Sequence, residues 1–228
     1  DGKLLALTIG ASRGSNRHTA IYDFNVGTLT RITQEGGAHA PVWSPDGRRL
    51  AFTAESPISE AEDLFVQPVD HSAPAIAVTH LPNDQHASSW PNDTMLVFSN
   101  NTAVRTLGGV VTGGSADVVN PSGNAVPRRL LGAAWSEFDA TISPDGQWMA
   151  YTSSESGTPE IRVRPFAVSA AGGNWKVSAG GGVRARWSAD GRTIFYQSAD
   201  ETAIRSTKVT PGTTFGVGAT ETVLQGRT

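Results

Sequence analysis

Short apolar runs separated by polar turns follow one another along the whole chain. One apolar stretch ends at Trp43, a Ser-Pro-Asp-Gly turn follows, and the next run begins with Leu50-Ala51-Phe52-Thr53. A strand, a tight turn and a second strand make a β-hairpin. No window of the sequence keeps a sustained 3.6-residue apolar period, so the pattern predicts almost no helix.

The hairpin recurs at a nearly constant period. The aspartates of the turn stand at positions 1, 46, 93, 145 and 190, with spacings of 45, 47, 52 and 45 residues. Repeats of this length that hold four short strands each are typical of propeller blades. The sequence therefore predicts an all-β protein, a β-propeller of about five four-stranded blades.

The repeated turn has a clear stereochemical basis. Pro45 presets φ at the second position of a type I turn, Asp46 can accept local backbone N–H bonds, and Gly47 tolerates a positive φ. Each blade hides its apolar faces by packing on the next blade. We therefore expect eight large side chains around the turns to be largely buried between blades: Trp43, Trp90, Ile142, Trp187, Phe52, Phe98, Tyr151 and Tyr196.

The first and third repeats depart from the regular pattern. Asp1-Gly2 aligns with Asp46-Gly47, so the first blade lacks its innermost strand and offers strands near residues 4–9, 20–25 and 29–33. The third repeat carries a Gly-rich insertion around residues 108–115, with outer strands near 117–120 and 127–131. We expect residues 1–228 to be one propeller domain of a longer protein. The edge at residues 4–9 then stays open or pairs with a neighbouring molecule by β-augmentation.

Composition narrows the classes of partner and compartment. A net charge of −3 and a pI near 5.9 give no electrostatic footprint for nucleic acid. The absence of Cys excludes disulfides, thiolate zinc sites and a Cys nucleophile, and it fits an extracytoplasmic, periplasmic bacterial protein. No apolar run approaches the roughly 18 residues of a membrane span, so no membrane insertion is expected.

The ordered motifs resemble a known family. With their spacing, the turns resemble the Pro-Asp repeats of TolB-type propellers. The run that contains Glu137-Phe138-Asp139, Ile142–Tyr151, Ser153–Gly157, Glu160–Phe166, Trp175–Ser178, Gly180–Gly182 and Trp187–Tyr196 resembles the propeller C-terminal to bacterial serine/threonine protein kinase domains. That resemblance implies a sensing or protein-interaction module without fixed catalytic residues. The chain contains no kinase motif of its own.

Polar residues near the start of the innermost strands are the candidate ligand-binding residues. His39 and His86 each stand four residues before the Trp of their repeat, so both occupy the same position on adjacent blades. We expect them near one mouth of a central channel, where an anionic small molecule or a metal could bind. Alternatively, strand starts are polar simply because they meet solvent. The full candidate set is His39, His86, Glu137, Asp139, Arg184 and Arg186.

Other polar motifs are interpreted without a site. We expect the acidic residues between second and third strands to lie on a solvated rim: Glu60, Glu62, Asp63, Glu155 and Glu160. The Gly10–Gly14 segment matches the G-x-S-x-G pattern, but it lacks the strand-to-helix context of a nucleophile elbow.

Two function classes remain open from the sequence, with a pure scaffold as a third. The first is a non-catalytic propeller that senses a small-molecule ligand or binds a protein partner. The second is a propeller hydrolase or lyase with a metal at the channel mouth, motivated by His39, His86 and Asp139. No cofactor is predicted for the first class. The second requires a divalent metal in the central channel.

Overall fold

The computed structural model describes residues 2–10, 16–34, 37–58, 61–101, 114–123, 126–133, 135–166 and 173–226. Within these ranges the chain forms antiparallel strands and no helix, as the missing helical period predicts. The Gly10–Gly14 segment and the Gly-rich insertion around residues 108–115 lie largely outside the described residues. No helix among the described residues is long and apolar enough to cross a bilayer.

The strands form five consecutive sheets. The first sheet has three strands, and the others have four each. Their bounds are β1 (Leu4–Ile9), β2 (His18–Asp23) and β3 (Thr28–Arg31); β4 (His39–Trp43), β5 (Arg49–Glu55), β6 (Glu62–Pro68) and β7 (Ile76–Ala77); β8 (Asp84–Asn92), β9 (Met95–Asn101), β10 (Gly114–Val119) and β11 (Arg128–Leu131); β12 (Glu137–Ile142), β13 (Trp148–Ser153), β14 (Glu160–Pro165) and β15 (Trp175–Lys176); β16 (Val183–Trp187), β17 (Thr193–Gln197), β18 (Ala203–Thr210) and β19 (Gly216–Gln225).

The strand order within each sheet confirms the predicted fold class. Each sheet is an antiparallel meander in which sequential strands are neighbours. Five such sheets in succession make a five-bladed β-propeller fold, and the first blade lacks its innermost strand as predicted. The chain divides into two compact units, of which the first holds β1–β9 and the second holds β12–β19. The expectation of one domain within a longer protein stays a prediction.

The repeated turn adopts the predicted geometry. The Ser44 hydroxyl donates to Asp46 Oδ1 at 2.6 Å and accepts the Arg49 N–H at 2.9 Å, while Gly47 has a φ of 67°. The hydrogen bond from Ser44 and the N–H of Arg48 hold the pKa of the Asp46 carboxyl below its ordinary value. The same arrangement recurs in the fourth and fifth blades with Ser143 and Asp145 and with Ser188 and Asp190, because Ser and Asp at this spacing close the turn without help from the core.

The innermost strand of every four-stranded blade carries a register shift. The shifts fall between His39 and Val42, Ala87 and Ser89, Phe138 and Thr141, and Val183 and Arg186. In three of these strands a residue of the shifted segment has a positive φ, namely Ala40, Asp139 and Arg184. A bulge of this kind bends the strand and redirects the side chains beside it. It therefore sets the direction of the candidate site residues.

Apolar side chains pack between neighbouring blades. Trp90 is 5% exposed and packs with Leu64 and Val66 of the preceding blade and with Phe98 of its own. The predicted burial is confirmed for Trp90, Ile142, Phe52, Phe98, Tyr151 and Tyr196.

Trp43 and Trp187 are less deeply buried than Trp90, because each is only partly buried and packs against its core cluster. Trp43 faces the blade that has three strands, and a cavity of about 480 Å³ lies beside it, bordered by Gly2 and Leu4. The first blade has only three strands, so no innermost strand of that blade packs beside Trp43. Trp187 packs at the edge of its cluster, where its Nε1 donates to the Thr141 carbonyl oxygen at 3.3 Å.

The described acidic residues that were predicted on a solvated rim divide into two groups, and Glu60 lies outside the described residues. Asp63 is fully buried and lies 3.2 Å from His80 Nδ1. Glu160 is 5% exposed and lies 2.6 Å from Lys176 Nζ, with a second hydrogen bond from Ser178. The rim interpretation of these two is wrong, because basic and hydroxyl groups near the fourth strand supply partners that the sequence pattern does not reveal. Glu155 is exposed, as expected.

Candidate functional site

His39 and His86 lie side by side in the first unit. Their ring centroids are 5.2 Å apart and the rings meet edge to face at 66°. His39 pairs with Thr53 and His86 pairs with Ser99, which are equivalent positions on adjacent blades. The expectation that equal spacing before Trp brings the two imidazoles together is confirmed. Their orientation toward a central channel stays a prediction.

Glu62 completes the cluster, although sequence reasoning placed it on the rim. Its Oε2 lies 3.3 Å from His86 Nε2 and 3.6 Å from His39 Nε2. Glu62 opens β6 and His39 opens β4. Alternate strands of an antiparallel meander begin at the same edge of the sheet, so the sequence could have indicated the edge at which Glu62 lies but not that its side chain contacts both histidines.

Arg17 holds the other carboxylate oxygen. It precedes β2, and its Nη2 donates to Glu62 Oε1 at 2.7 Å. The exposed fractions of the Arg17 and Glu62 side chains are 13% and 20%. Three blades therefore contribute to one cluster, with Arg17 from the first, His39 and Glu62 from the second and His86 from the third.

Neighbouring groups orient both imidazole rings. The Nδ1 of His39 lies 3.1 Å from the Gly37 carbonyl oxygen, which can only accept, so Nδ1 carries the proton and Nε2 faces Glu62 as a lone pair. The Asn101 amide group lies 3.1 Å from His86 Nδ1. The bulge at Ala40 anchors this corner further, because the Ala40 N–H donates to Thr8 Oγ1 at 3.2 Å.

The electrostatics keep the carboxylate charged and the buried imidazole neutral. Burial raises the pKa of Glu62, but the hydrogen bond from His86 and the charges of His39, His86 and Arg17 outweigh it and lower the pKa to about 2. Burial lowers the pKa of His39, and Glu62 and the Gly37 carbonyl offset this only in part. The cluster thus contains an ionised Glu62 paired with Arg17, and an imidazole whose burial favours its neutral form.

The remaining candidates lie in the second unit and do not occupy the position of the two histidines. That position is taken by Phe138 and Val183, since Phe138 pairs with Thr152 and Val183 with Gln197. Glu137 opens β12 and is buried. Asp139 and Arg184 sit in the bulges.

The second-unit polar residues are engaged locally. Arg184 Nη1 donates to Gln197 Oε1 at 2.7 Å and lies 3.3 Å from Glu201 Oε2. Arg186 Nη1 donates to the Ala185 carbonyl oxygen at 2.7 Å and is attracted by the Asp139 carboxylate. Each guanidinium thus has an acceptor within its own unit, and a ligand would have to compete with it.

The stability of the Glu137→Gln variant relative to wild type should be higher at pH 7 than at pH 4. Burial raises the pKa of Glu137 above its ordinary value near 4.5, and a hydrogen bond from Trp135 offsets this only in part. A carboxyl group with a raised folded-state pKa favours folding most below the unfolded-state pKa, and that contribution is lost as the pH rises through the folded-state pKa. Gln cannot ionise, so the variant escapes this loss. Urea midpoints at the two pH values measure it, with exposed Glu221→Gln as the matched control; equal pH profiles for Glu137→Gln and wild type would contradict it.

Recurring antiparallel four-stranded sheets and their shared turn define the chain as a β-propeller protein, and solved structures agree. It is similar to TolB from Acinetobacter baumannii, with 17% identity and a TM-score of 0.69 over 96% of this chain and 54% of that one. A putative TolB from Agrobacterium tumefaciens gives 16% identity and a TM-score of 0.68 over 96% and 80%. Hydrazine synthase from Kuenenia stuttgartiensis gives 14% identity and a TM-score of 0.68 over 94% and 38%.

These likenesses concern the fold. The chain spans about half the length of the Acinetobacter TolB. No protein-family model matches the sequence. The expected likeness to TolB-type propellers is thus confirmed as a likeness of structure, while the Pro-Asp repeat family and the kinase-associated propeller stay predictions.

Proposed function

We propose that the chain is a non-catalytic propeller module that binds a small-molecule ligand or a protein partner at the cluster of Arg17, His39, Glu62 and His86. One observation supports this most: three adjacent blades each contribute polar side chains to a single cluster. His86 keeps 34% of its side chain exposed, so the cluster is open to solvent on its side. The similarity in fold to TolB propellers agrees with an interaction role.

The proposed ligand chemistry is a carboxylate, on a small molecule or on an acidic side chain of a partner. Imidazole N–H groups and a guanidinium are suitable donors for such an oxygen. Because Glu62 already accepts a hydrogen bond from Arg17, a ligand carboxylate would approach His86 from the solvent side and compete with Asn101 for Nδ1.

A thermal-shift screen in metal-free buffer tests the module. The probes are acetate, succinate, citrate, glucuronate and a short poly-Glu peptide, because a ligand that binds only the folded state raises the melting temperature. We expect at least one probe to stabilise wild type, with the effect lost in His86→Ala and kept in His80→Ala. His80 is a matched control, since it also pairs with a carboxylate but lies outside the cluster. Stabilisation that survives in His86→Ala, or no stabilisation by any probe, would contradict the proposed site.

A metal-dependent hydrolase or lyase is the second candidate. Two imidazoles and one carboxylate are the protein ligands of several catalytic zinc sites, and His39, His86 and Glu62 provide this set. Mass spectrometry of the probes after incubation with metal-loaded protein distinguishes the two functions, because only the enzyme consumes its ligand.

Two further features belong to the same proposal. We also propose an extracytoplasmic, periplasmic location, which the absence of Cys fits, and a sensor role, which the resemblance to kinase-associated propellers implies. Self-association through β1 is supported by the exposure of Leu4 and Leu5, at 40% and 48%. Light scattering over a concentration series tests self-association, and a constant monomer mass would contradict it.

A further inference from the structure

We propose that His39, Glu62 and His86 bind one divalent transition-metal ion, for which Zn²⁺ has the best-matched chemistry. The proposal rests on the proposed function, since it names a ligand class for the same site. Imidazole nitrogen and carboxylate oxygen are ligands that zinc accepts together, and three protein ligands leave the fourth position for water or an incoming group.

The distances match a tetrahedral site on two of its three edges. With metal–ligand bonds of about 2.0–2.1 Å, two ligand atoms of a tetrahedron lie about 3.3 Å apart. Glu62 Oε2 is 3.3 Å from His86 Nε2 and 3.6 Å from His39 Nε2. The ligand atoms of all three residues lie within 4.8 Å of one another, so the three side chains are close enough to bind one ion together.

The groups that hydrogen-bond to the two histidines are of the kind that commonly orient histidine ligands in metal sites. A histidine ligand usually donates its second ring N–H to a carbonyl or carboxylate, which fixes the tautomer. His39 has this arrangement already, with Nδ1 on the Gly37 carbonyl oxygen at 3.1 Å. For His86 to bind through Nε2, its Nδ1 must carry the proton, and the Asn101 amide, 3.1 Å away, can turn its oxygen toward that N–H.

Arg17 gives the two oxygens of the Glu62 carboxylate different partners. Its hydrogen bond to Oε1 orients Glu62 and leaves Oε2 directed at both imidazoles. The same guanidinium repels a cation, so the site should be weaker than one with an uncompensated carboxylate. Arg17→Gln, which keeps a donor and removes the charge, should therefore bind the metal more tightly than wild type.

Calorimetric titration of chelator-treated protein with ZnCl₂ tests the site directly. We expect one equivalent of Zn²⁺ to bind and to raise the melting temperature. Removing a group that hydrogen-bonds to a metal ligand lowers metal affinity about 10–100-fold. Removing a ligand itself should lower Zn²⁺ affinity by at least about 100-fold, which we expect for His39→Ala, His86→Ala and Glu62→Gln. His80→Ala is the matched control and should bind as wild type does.

Cobalt provides a readout that a purely structural role would not affect. Co²⁺ bound by two imidazoles and a carboxylate in tetrahedral geometry absorbs visible light. The variant His86→Gln should abolish that absorption band. It retains much of the side-chain volume, so it can be used if His86→Ala unfolds. Wild type that binds no equivalent of Zn²⁺ or Co²⁺, or variants that bind as wild type does, would overturn the metal site. The carboxylate screen in metal-free buffer is independent of this result, so failure of the metal site and failure of the proposed module can be told apart.

Discussion

Replacing Trp90 by Ala should lower the free energy of unfolding by about 3–5 kcal/mol, the range for deleting a fully buried large aromatic side chain. Trp90 is 5% exposed and packs with Leu64 and Phe98, both fully buried, at the boundary of two blades. The Arg49 guanidinium also lies over the ring, 4.9 Å from its centroid, and would lose this contact. The shift of the urea midpoint, followed by circular dichroism, measures the effect.

Trp43→Ala is the matched control, because Trp43 has the same place before the turn of the neighbouring blade. It is only half-buried beside the cavity at Gly2 and Leu4, so its loss should cost less, about 0.5–3 kcal/mol. Equal urea midpoints for the two variants would contradict this prediction. They would show that both tryptophans contribute equally to the free energy of unfolding, whether or not the preceding blade has its innermost strand.

Gly181→Ala should lower the free energy of unfolding by about 2–5 kcal/mol. Gly181 has a φ of 89°, and a left-handed conformation costs an Ala roughly 1–2 kcal/mol. Its new Cβ would also lie 2.7 Å from Ala199 Cβ and 3.3 Å from the Pro159 carbonyl oxygen, and overpacking of this kind costs about 1–3 kcal/mol.

The adjacent Gly180→Ala separates the two causes. Gly180 has a φ of 70°, but it is exposed, and the nearest atom to its new Cβ is Arg205 Nη1 at 3.5 Å, an ordinary van der Waals distance. This variant should therefore lose only the roughly 1–2 kcal/mol of backbone strain. A Gly181→Ala protein that is no less stable than Gly180→Ala in urea would contradict the predicted clash.

Local chemistry explains why the fold was predictable. The turn at Ser44, Asp46 and Gly47 is closed by hydrogen bonds between residues that are near one another in the chain. It can therefore be predicted wherever the same residue types recur in the same order. The apolar runs before and after it must pack on a neighbouring repeat, and their period sets the number of blades. The pairing of His39 with His86 follows from the same regularity, because equivalent positions on adjacent blades are neighbours.

Contacts between distant segments were decided by the tertiary structure alone. Glu62 looked like a solvated loop residue, and its role depends on Arg17 and His86, which lie 45 and 24 residues away. Asp63 likewise becomes a buried residue because His80 reaches it from the loop after β7.

The sequence by itself determined the all-β class, the five repeats, the missing innermost strand of the first blade and the nearness of the two histidines. The tertiary structure decided which tryptophans are buried, which carboxylate joins the histidines and how that carboxylate stays ionised. The physical reason is the range of the interactions. Turns and strand periodicity depend on neighbours in the chain, whereas burial, pKa values and ligand geometry depend on groups brought together by packing.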